Sequence, residues 1–245
     1  MLELDNIKLS YGSSQILNGV NLSVKRGDVV SIIGPSGTGK TTLLRCINYL
    51  AKPSSGNITF DQIRMDYQSV NKAAVQAIRL RTAMVFQQFN VFKNMTVIQN
   101  VMDPLMVVQR KSEDEARKIA LEELDRVGLS AKRDHYPSQL SGGQLQRTGI
   151  ARALAVRPDV ILFDEPTSSL DPELVGEVLK VIKDVTSSGI TSLLVTHEMQ
   201  FAKSVSNRIV FMDKGVVASE GSPVDIFDTP SNPRLAQFLN SEHSL

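Results

Sequence analysis

The 245-residue sequence has a single cysteine, Cys46, and no tryptophan. One cysteine excludes an intrachain disulfide and any cysteine-built zinc site, and it fits a reducing compartment. Cys46 itself reads as a small buried residue rather than a reactive one. Neither sign of charge is in excess: 27 Lys and Arg against 26 Asp and Glu leave a formal net charge of +1, so the electrostatic footprint of a nucleic-acid binder is missing. No apolar run approaches the ~18 residues of a membrane-spanning helix, and no signal-peptide pattern is read at the start. Docking onto a membrane partner remains compatible with this. Internal repeats and low-complexity stretches are absent as well. What is there is 42% hydrophobic residues in a chain long enough for one sizeable core.

"ELDNIKLSYG", "GVNLSVKRGD" and "VVSII" read as short strands separated by turns, and "KPSSGNITF" as a turn into another strand. "TAMVF", from Thr82 to Phe86, reads as a buried strand. The pattern then changes. Thr96 with Gln99 forms a capping-box pattern, and so does Ser112 with Glu115. The helix after Ser112 turns Ala116, Ile119, Ala120 and Leu124 inward. It carries Glu113–Arg117, Asp114–Lys118 and Glu122–Arg126 at i,i+4 spacing, and Gly128 stops it. Residues 88–156 are therefore expected to be a helical insertion, with 1–87 and 157–245 forming the rest of one domain.

Apolar "VILF" (Val160 to Phe163) and "TSLLVT" (Thr191 to Thr196) bracket a further helix. Asp171 is its expected cap and Pro172 its first residue, and Leu174, Val175, Val178, Leu179 and Ile182 form its buried stripe. Fully apolar strands alternating with helices predict a parallel sheet covered on both faces. "FMDKGVVASEG" predicts a closing hairpin and "DTPSNPRLAQFL" a short last helix.

Gly34, Pro35, Ser36, Gly37, Thr38, Gly39, Lys40, Thr41 and Thr42 contain the pattern G-x-x-x-x-G-K-[ST]. It follows a strand and opens a helix with Leu43, Leu44, Ile47 and Leu50 on one stripe. Glycines let successive N–H groups point into one concavity, and the helix adds its positive end. Lys40 then reaches the β- and γ-phosphates, and the Thr41 hydroxyl ligates Mg2+. The chain reads as a nucleoside triphosphate binder.

Asp164 and Glu165 end "VILF", at the carboxyl end of a buried strand, where open α/β sheets take ligands. Asp164 suits a Mg2+-holding role and Glu165 a base that polarises the attacking water. His197 follows "SLLVT" at the same sheet edge. Gln87 ends "AMVF" in the same way and suits a sensor of the γ-phosphate or Mg2+. Ser141, Gly142, Gly143 and Gln144, in "LSGGQ", form a second glycine-rich helix start, readable as a helix start alone or as another anion site. Tyr11, before a glycine turn, fits either packing or a stacking platform for a purine.

In this order, the motifs resemble the ATPase subunit of ABC transporters over essentially the whole chain. Tyr11 matches the A-loop aromatic, Gly34 to Thr42 the Walker A loop and Gln87 the Q-loop. Leu140 to Gln144 match the ABC signature and Asp164 the end of Walker B. Glu165 matches the catalytic glutamate, Ser169, Leu170 and Asp171 the D-loop, and His197 the switch histidine. The resemblance implies an α/β fold: a P-loop NTPase (RecA-like) core, an N-terminal antiparallel β subdomain and a helical insertion, together one ABC ATPase domain. It implies hydrolysis of ATP with Mg2+.

In the family two copies pack head to tail, so Ser141 to Gln144 and Asp171 are expected to meet ATP held by the other copy's P-loop. "MVFQQFNVF", "LDPELVGEVL", "VTHEM" and "FMDKGVVASEGSP" are similar to bacterial polar amino-acid uptake systems. Leu145 departs from the Gln common there, and Ser169 from the Ala. The implied partners are a second copy, transmembrane permease subunits and, indirectly, a substrate-binding protein. The implied place is peripheral, on the cytoplasmic face of the cell membrane. An ABC ATPase for phosphate, a metal chelate or a lipoprotein is the neighbouring reading, because the ATPase subunit does not touch cargo. DNA-repair ATPases of the superfamily carry long coiled coils or zinc-binding cysteines between Gln87 and the signature, and neither is present here. In residues 88–110, Phe89, Val91, Phe92 and Met95 have two readings: some stay exposed and receive a helix of the membrane partner, or all pack under the insertion.

Overall fold

Alternating side chains build the first of two β-sheets in the computed structural model, which describes residues 1–242. Along β1 (Leu2–Tyr11), Leu2, Leu4, Ile7 and Leu9 are buried; along β2 (Ser14–Val24), Leu17, Val20, Leu22 and Val24 are. Most residues between them face outward, as in a sheet with one dry face, and the alternation is interrupted between Leu4 and Ile7 by a register shift. The chain then makes β3 (Val29–Ile33) and α1 (Lys40–Ile47) before returning with β4 (Ser55–Phe60) and β5 (Ile63–Asp66). These complete an antiparallel sheet of order β2-β1-β4-β5.

Helix α2 (Lys72–Arg81) leads into β6 (Thr82–Val85). Three helices follow: α3 (Val97–Val107), α4 (Glu113–Arg126) and α5 (Gly142–Ala155). Strands and helices then alternate: β7 (Val160–Asp164), α6 (Pro172–Ser187), β8 (Thr191–Val195), α7 (Met199–Val205), β9 (Arg208–Asp213), β10 (Val216–Gly221) and α8 (Pro233–Glu242). The second sheet has the order β10-β9-β3-β8-β7-β6, parallel except for β10, which closes as a hairpin on β9.

Every residue of β3, β7 and β8 is buried, as in a parallel sheet covered on both sides. Alternate residues serve different cores. Val160 and Leu162 join α1 and the antiparallel sheet, whereas Ile161 and Phe163 join α3, α4, α5 and α6. Ile33, Ile209 and Phe211 pack with α7 and α8.

Some local expectations are corrected. Among the described residues β6 pairs only with β7, so it is an edge strand there, and Ala83 and Met84 are half-buried rather than buried. Leu50 is 51% exposed, because α1 ends at Ile47 and Tyr49 turns left-handed at φ 56°. Asp171 stands at the N-cap of α6, yet its side chain accepts no capping hydrogen bond. The buried stripe of α6 is Val178, Ile182, Val185 and Thr186, with Leu174, Val175 and Leu179 half-buried. Thr96 and Gln99 form the full capping box; at Ser112 only half forms, because the Glu115 carboxylate pairs with Lys111 instead. Of the three expected ion pairs, Glu113–Arg117 stands at 3.6 Å, while Arg126 turns to Glu123 at 3.8 Å.

Candidate functional site

The parallel register brings the carboxyl ends of four strands to one edge. Ile32 pairs with Val195, Val195 with Asp164, and Phe163 with Val85. Gly34, His197, Glu165 and Gln87 therefore leave the sheet side by side, as expected for a ligand crevice of an open α/β sheet.

Between β3 and α1 the loop is shaped by close approach. A Cβ on Gly34, at φ 145°, would stand 2.1 Å from the Met212 carbonyl oxygen. One on Gly39, at φ 97°, would stand 2.7 Å from Leu17 and 2.9 Å from the Ile16 carbonyl oxygen. Neither position admits a side chain. Thr38 braces the loop by donating from Oγ1 to the Pro35 carbonyl at 2.8 Å. Lys40 is buried, and its Nζ donates to the carbonyls of Gly34 at 2.7 Å and Pro35 at 3.0 Å. An ammonium is thus held inside a loop whose concavity suits an anion.

Thr41 Oγ1 donates to Asp164 Oδ1 at 2.6 Å, and Arg45 Nη2 donates to Oδ2 at 3.1 Å. The Asp164 carboxylate is thereby joined to the first turn of α1. A hydroxyl and a carboxylate in contact are hard oxygen donors, the set that Mg2+ takes beside phosphate oxygens and water. These residues fit that ion. Gln87, the third expected ligand, is exposed, and among the described residues no hydrogen bond joins it to Thr41 or Asp164.

Glu165 has φ 46°, a left-handed backbone rare for a residue with a side chain, and strain of this kind clusters at functional sites. Its N–H donates to the Val195 carbonyl at 3.0 Å. Its Oε1 lies 3.2 Å from His197 Nε2, and its Oε2 accepts from Ser168 Oγ at 3.1 Å. The His197 hydrogen bond, joined by the His197 and Lys40 charges and by Ser168, holds the Glu165 carboxyl below the usual carboxylate range against the upward push of burial. The carboxylate is therefore ionised and oriented.

Tyr11, at the end of β1, is 60% exposed. Together with Ile16, Ser36, Gly37, Gly39, Lys40, Thr41, Thr42 and Glu165 it lines a cleft of about 240 Å³. Sequence-predicted residues from β1, the glycine loop and β7 thus share one wall.

The second group lies elsewhere. Ser141 caps α5 through a full capping box with Gln144: Gln144 N donates to Ser141 Oγ at 3.3 Å and Ser141 N to Gln144 Oε1 at 3.1 Å. Gly142 and Gly143 pack against Leu170 and Leu174, so this helix start adjoins the segment holding Ser169, Leu170 and Asp171. None of Ser141 to Gln144 nor Asp171 lines the cleft of the glycine loop.

A larger groove, about 450 Å³, opens between α2, β6, α3 and α5, with Arg79, Leu80, Met84, Phe92, Pro104 and Val108 among its walls. Phe92 is 45% exposed there, whereas Phe89, Val91 and Met95 are half-buried. Val107 and Val108, inside the expected segment 88–110, are exposed as well, and Leu80 of α2 joins them from outside it.

Two contacts of the cleft escaped the sequence. Arg45 lies four residues after Thr41 on one helix face, a spacing that was available as a signal. Ser168 has no such signal: its contact with Glu165 depends on the left-handed turn.

The ABC transporter family model matches residues 17–168. The L-cystine import ATP-binding protein TcyN of Bacillus subtilis is 50% identical over 98% of this chain and 92% of its own length. The probable amino-acid import ATP-binding protein YxeO of the same organism is 48% identical, over 98% and 96%. Among solved structures, a dimeric post-hydrolysis ATP-binding cassette bound to ADP and Pi superposes with a TM-score of 0.79 at 37% identity, covering 91% of this chain and 99% of that one.

Proposed function

Because the chain belongs to the ABC transporter family, we propose that it is the ATP-hydrolysing subunit of an importer that takes up a polar amino acid, acting as a head-to-tail pair of copies on the cytoplasmic face of the membrane. The observation that carries the hydrolytic part is the single cleft shared by Lys40, Thr41 and Glu165, with Asp164 bonded to Thr41 and His197 to Glu165. The import names of similar proteins support the cargo class.

In this reading Lys40 and the loop N–H groups neutralise the phosphates, and Tyr11 stacks on the purine. Glu165, already ionised, accepts a proton from the attacking water, and His197 keeps its carboxylate and the γ-phosphate in place. Thr41, Asp164 and Gln87 would hold Mg2+. That ion, when bound, supplies positive charge at the β- and γ-phosphates. Ser141 to Gln144 and Asp171 serve the ATP of the other copy, in keeping with their separation from the cleft. The permease presents a helix to the groove rimmed by Leu80, Phe92 and Val108.

The test is reconstitution with the permease expressed from the same gene cluster. Vesicles containing ATP should take up an amino acid, and Lys40→Ala should abolish both uptake and phosphate release. Uptake of phosphate or a metal chelate without any amino acid would overturn the cargo. Undiminished hydrolysis by Lys40→Ala would overturn the site.

A further inference from the structure

Helix α5 does more than begin with the glycine-rich motif. One of its faces carries Gln146, Gly149 and Arg152, three residues apart, and all three meet the backbone that follows β6. Gln146 Nε2 donates to the Phe86 carbonyl at 3.0 Å. A Cβ on Gly149 would touch the Phe89 carbonyl oxygen at 3.4 Å. Arg152 Nη1 donates to the Asn90 carbonyl at 2.8 Å, and its guanidinium lies 5.9 Å from the Phe92 ring centre. Gln146 is fully buried, and its Oε1 has no partner among the described residues. This buried carboxamide thus uses one of its two ends, and it uses it on the backbone of another segment. The carbonyl it holds immediately precedes Gln87.

We propose that Gln146 is a positioning residue: by holding the Phe86 carbonyl it fixes Gln87 to the helix that begins at Ser141, so that Gln87 and Ser141 to Gln144 move as one body. Any displacement of the loop 86–92 then carries the far helix start with it, and the reverse. This rests on the ATPase reading above, in which Gln87 works in one copy's cleft and Ser141 in the other's.

Gln146→Met separates positioning from packing. It keeps the volume and trades one unpaired acceptor, Oε1, for another, the Phe86 carbonyl, so the thermal midpoint should stay level. ATP hydrolysis should lose about tenfold to a hundredfold in kcat with KM unchanged, the scale of a small misplacement at a reacting centre. Added to Gln87→Ala, the same change should cost nothing further, since both act through one group. Full kcat in Gln146→Met, or losses that multiply in the double variant, overturns the proposal.

Hydrogen exchange in peptides covering residues 86–92 keeps it separate from the ATPase reading. Exchange should quicken in Gln146→Met whether or not the wild type hydrolyses ATP, and unchanged exchange overturns the positioning role. If Gln146→Met does not fold, Arg152→Met removes the next rung from a partly exposed side chain. The same quickened exchange is expected there, and none is the contrary result.

Discussion

The glycines of the loop between β3 and α1 and those at the start of α5 look alike in sequence and differ in kind. Gly34 and Gly39 are forced by their own chain: φ is positive at both, and a Cβ would run into backbone and core at 2.1 and 2.7 Å. Gly142 and Gly143 are ordinary helical residues, and a Cβ on Gly142 would meet side-chain ends: Leu170 at 3.2 Å, Phe89 at 3.4 Å and Leu174 at 4.0 Å. Leucine ends can yield by a few tenths of an ångström. Within one copy, then, the first pair has a reason to be glycine and the second has little. A requirement for bare backbone at Gly142 has to come from outside the chain, from whatever approaches α5, and the phosphates held by another copy are the approach proposed above.

Substitutions can break this contrast. Gly34→Ala should have the largest effect, about 3 kcal/mol of unfolding free energy or more, because the carbonyl it strikes belongs to buried β9. A thermal denaturation scan with an unmoved midpoint would deny the steric account. Lys40→Ala should leave a folded chain whose ATP affinity falls on the order of a hundredfold, since it removes charge-assisted hydrogen bonds to phosphate. Calorimetric titration reads this directly. Tyr11→Ala should lose about 1–3 kcal/mol of ATP binding, while Tyr11→Phe loses none. Equal affinity for all three proteins would return Tyr11 to packing.

Gly142→Ala should change the stability and ATP affinity of the isolated chain least, by under about 1 kcal/mol, because the helical gain of alanine offsets the tight contact with Leu170. Its effect should appear only when two copies must close. A loss of ATP binding by the lone subunit would show that the start of α5 belongs to the chain's own cleft.

Much of this is legible in the residue types and their spacing. Short strand-like stretches bounded by turns mark β1 and β2, continuous apolar runs mark β3, β7 and β8, and the motif between β3 and α1 carries its chemistry in its residue types. Parallel topology then put Glu165 and His197 at one edge. The misses share a cause. β5, α2 and α7 are short and weakly patterned, and tertiary contacts rather than periodicity hold them. The edge position of β6 follows from strand order, which the local sequence does not encode. Asp171 has the right residue type for a cap, yet its side chain accepts no capping hydrogen bond. Ser168 on Glu165 and Gln146 on the Phe86 carbonyl join residues 3 and 60 positions apart through geometry that appears only once the chain is folded.

The most direct test of two copies sharing each ATP is the size of Glu165→Gln in ATP. The substitution keeps shape and a hydrogen-bonding group at the end of β7 but removes the base, so bound ATP should persist. Size-exclusion chromatography at micromolar concentration should show a dimer with ATP and a monomer without it. A monomer that has ATP bound would contradict the shared site and the transport mechanism built on it.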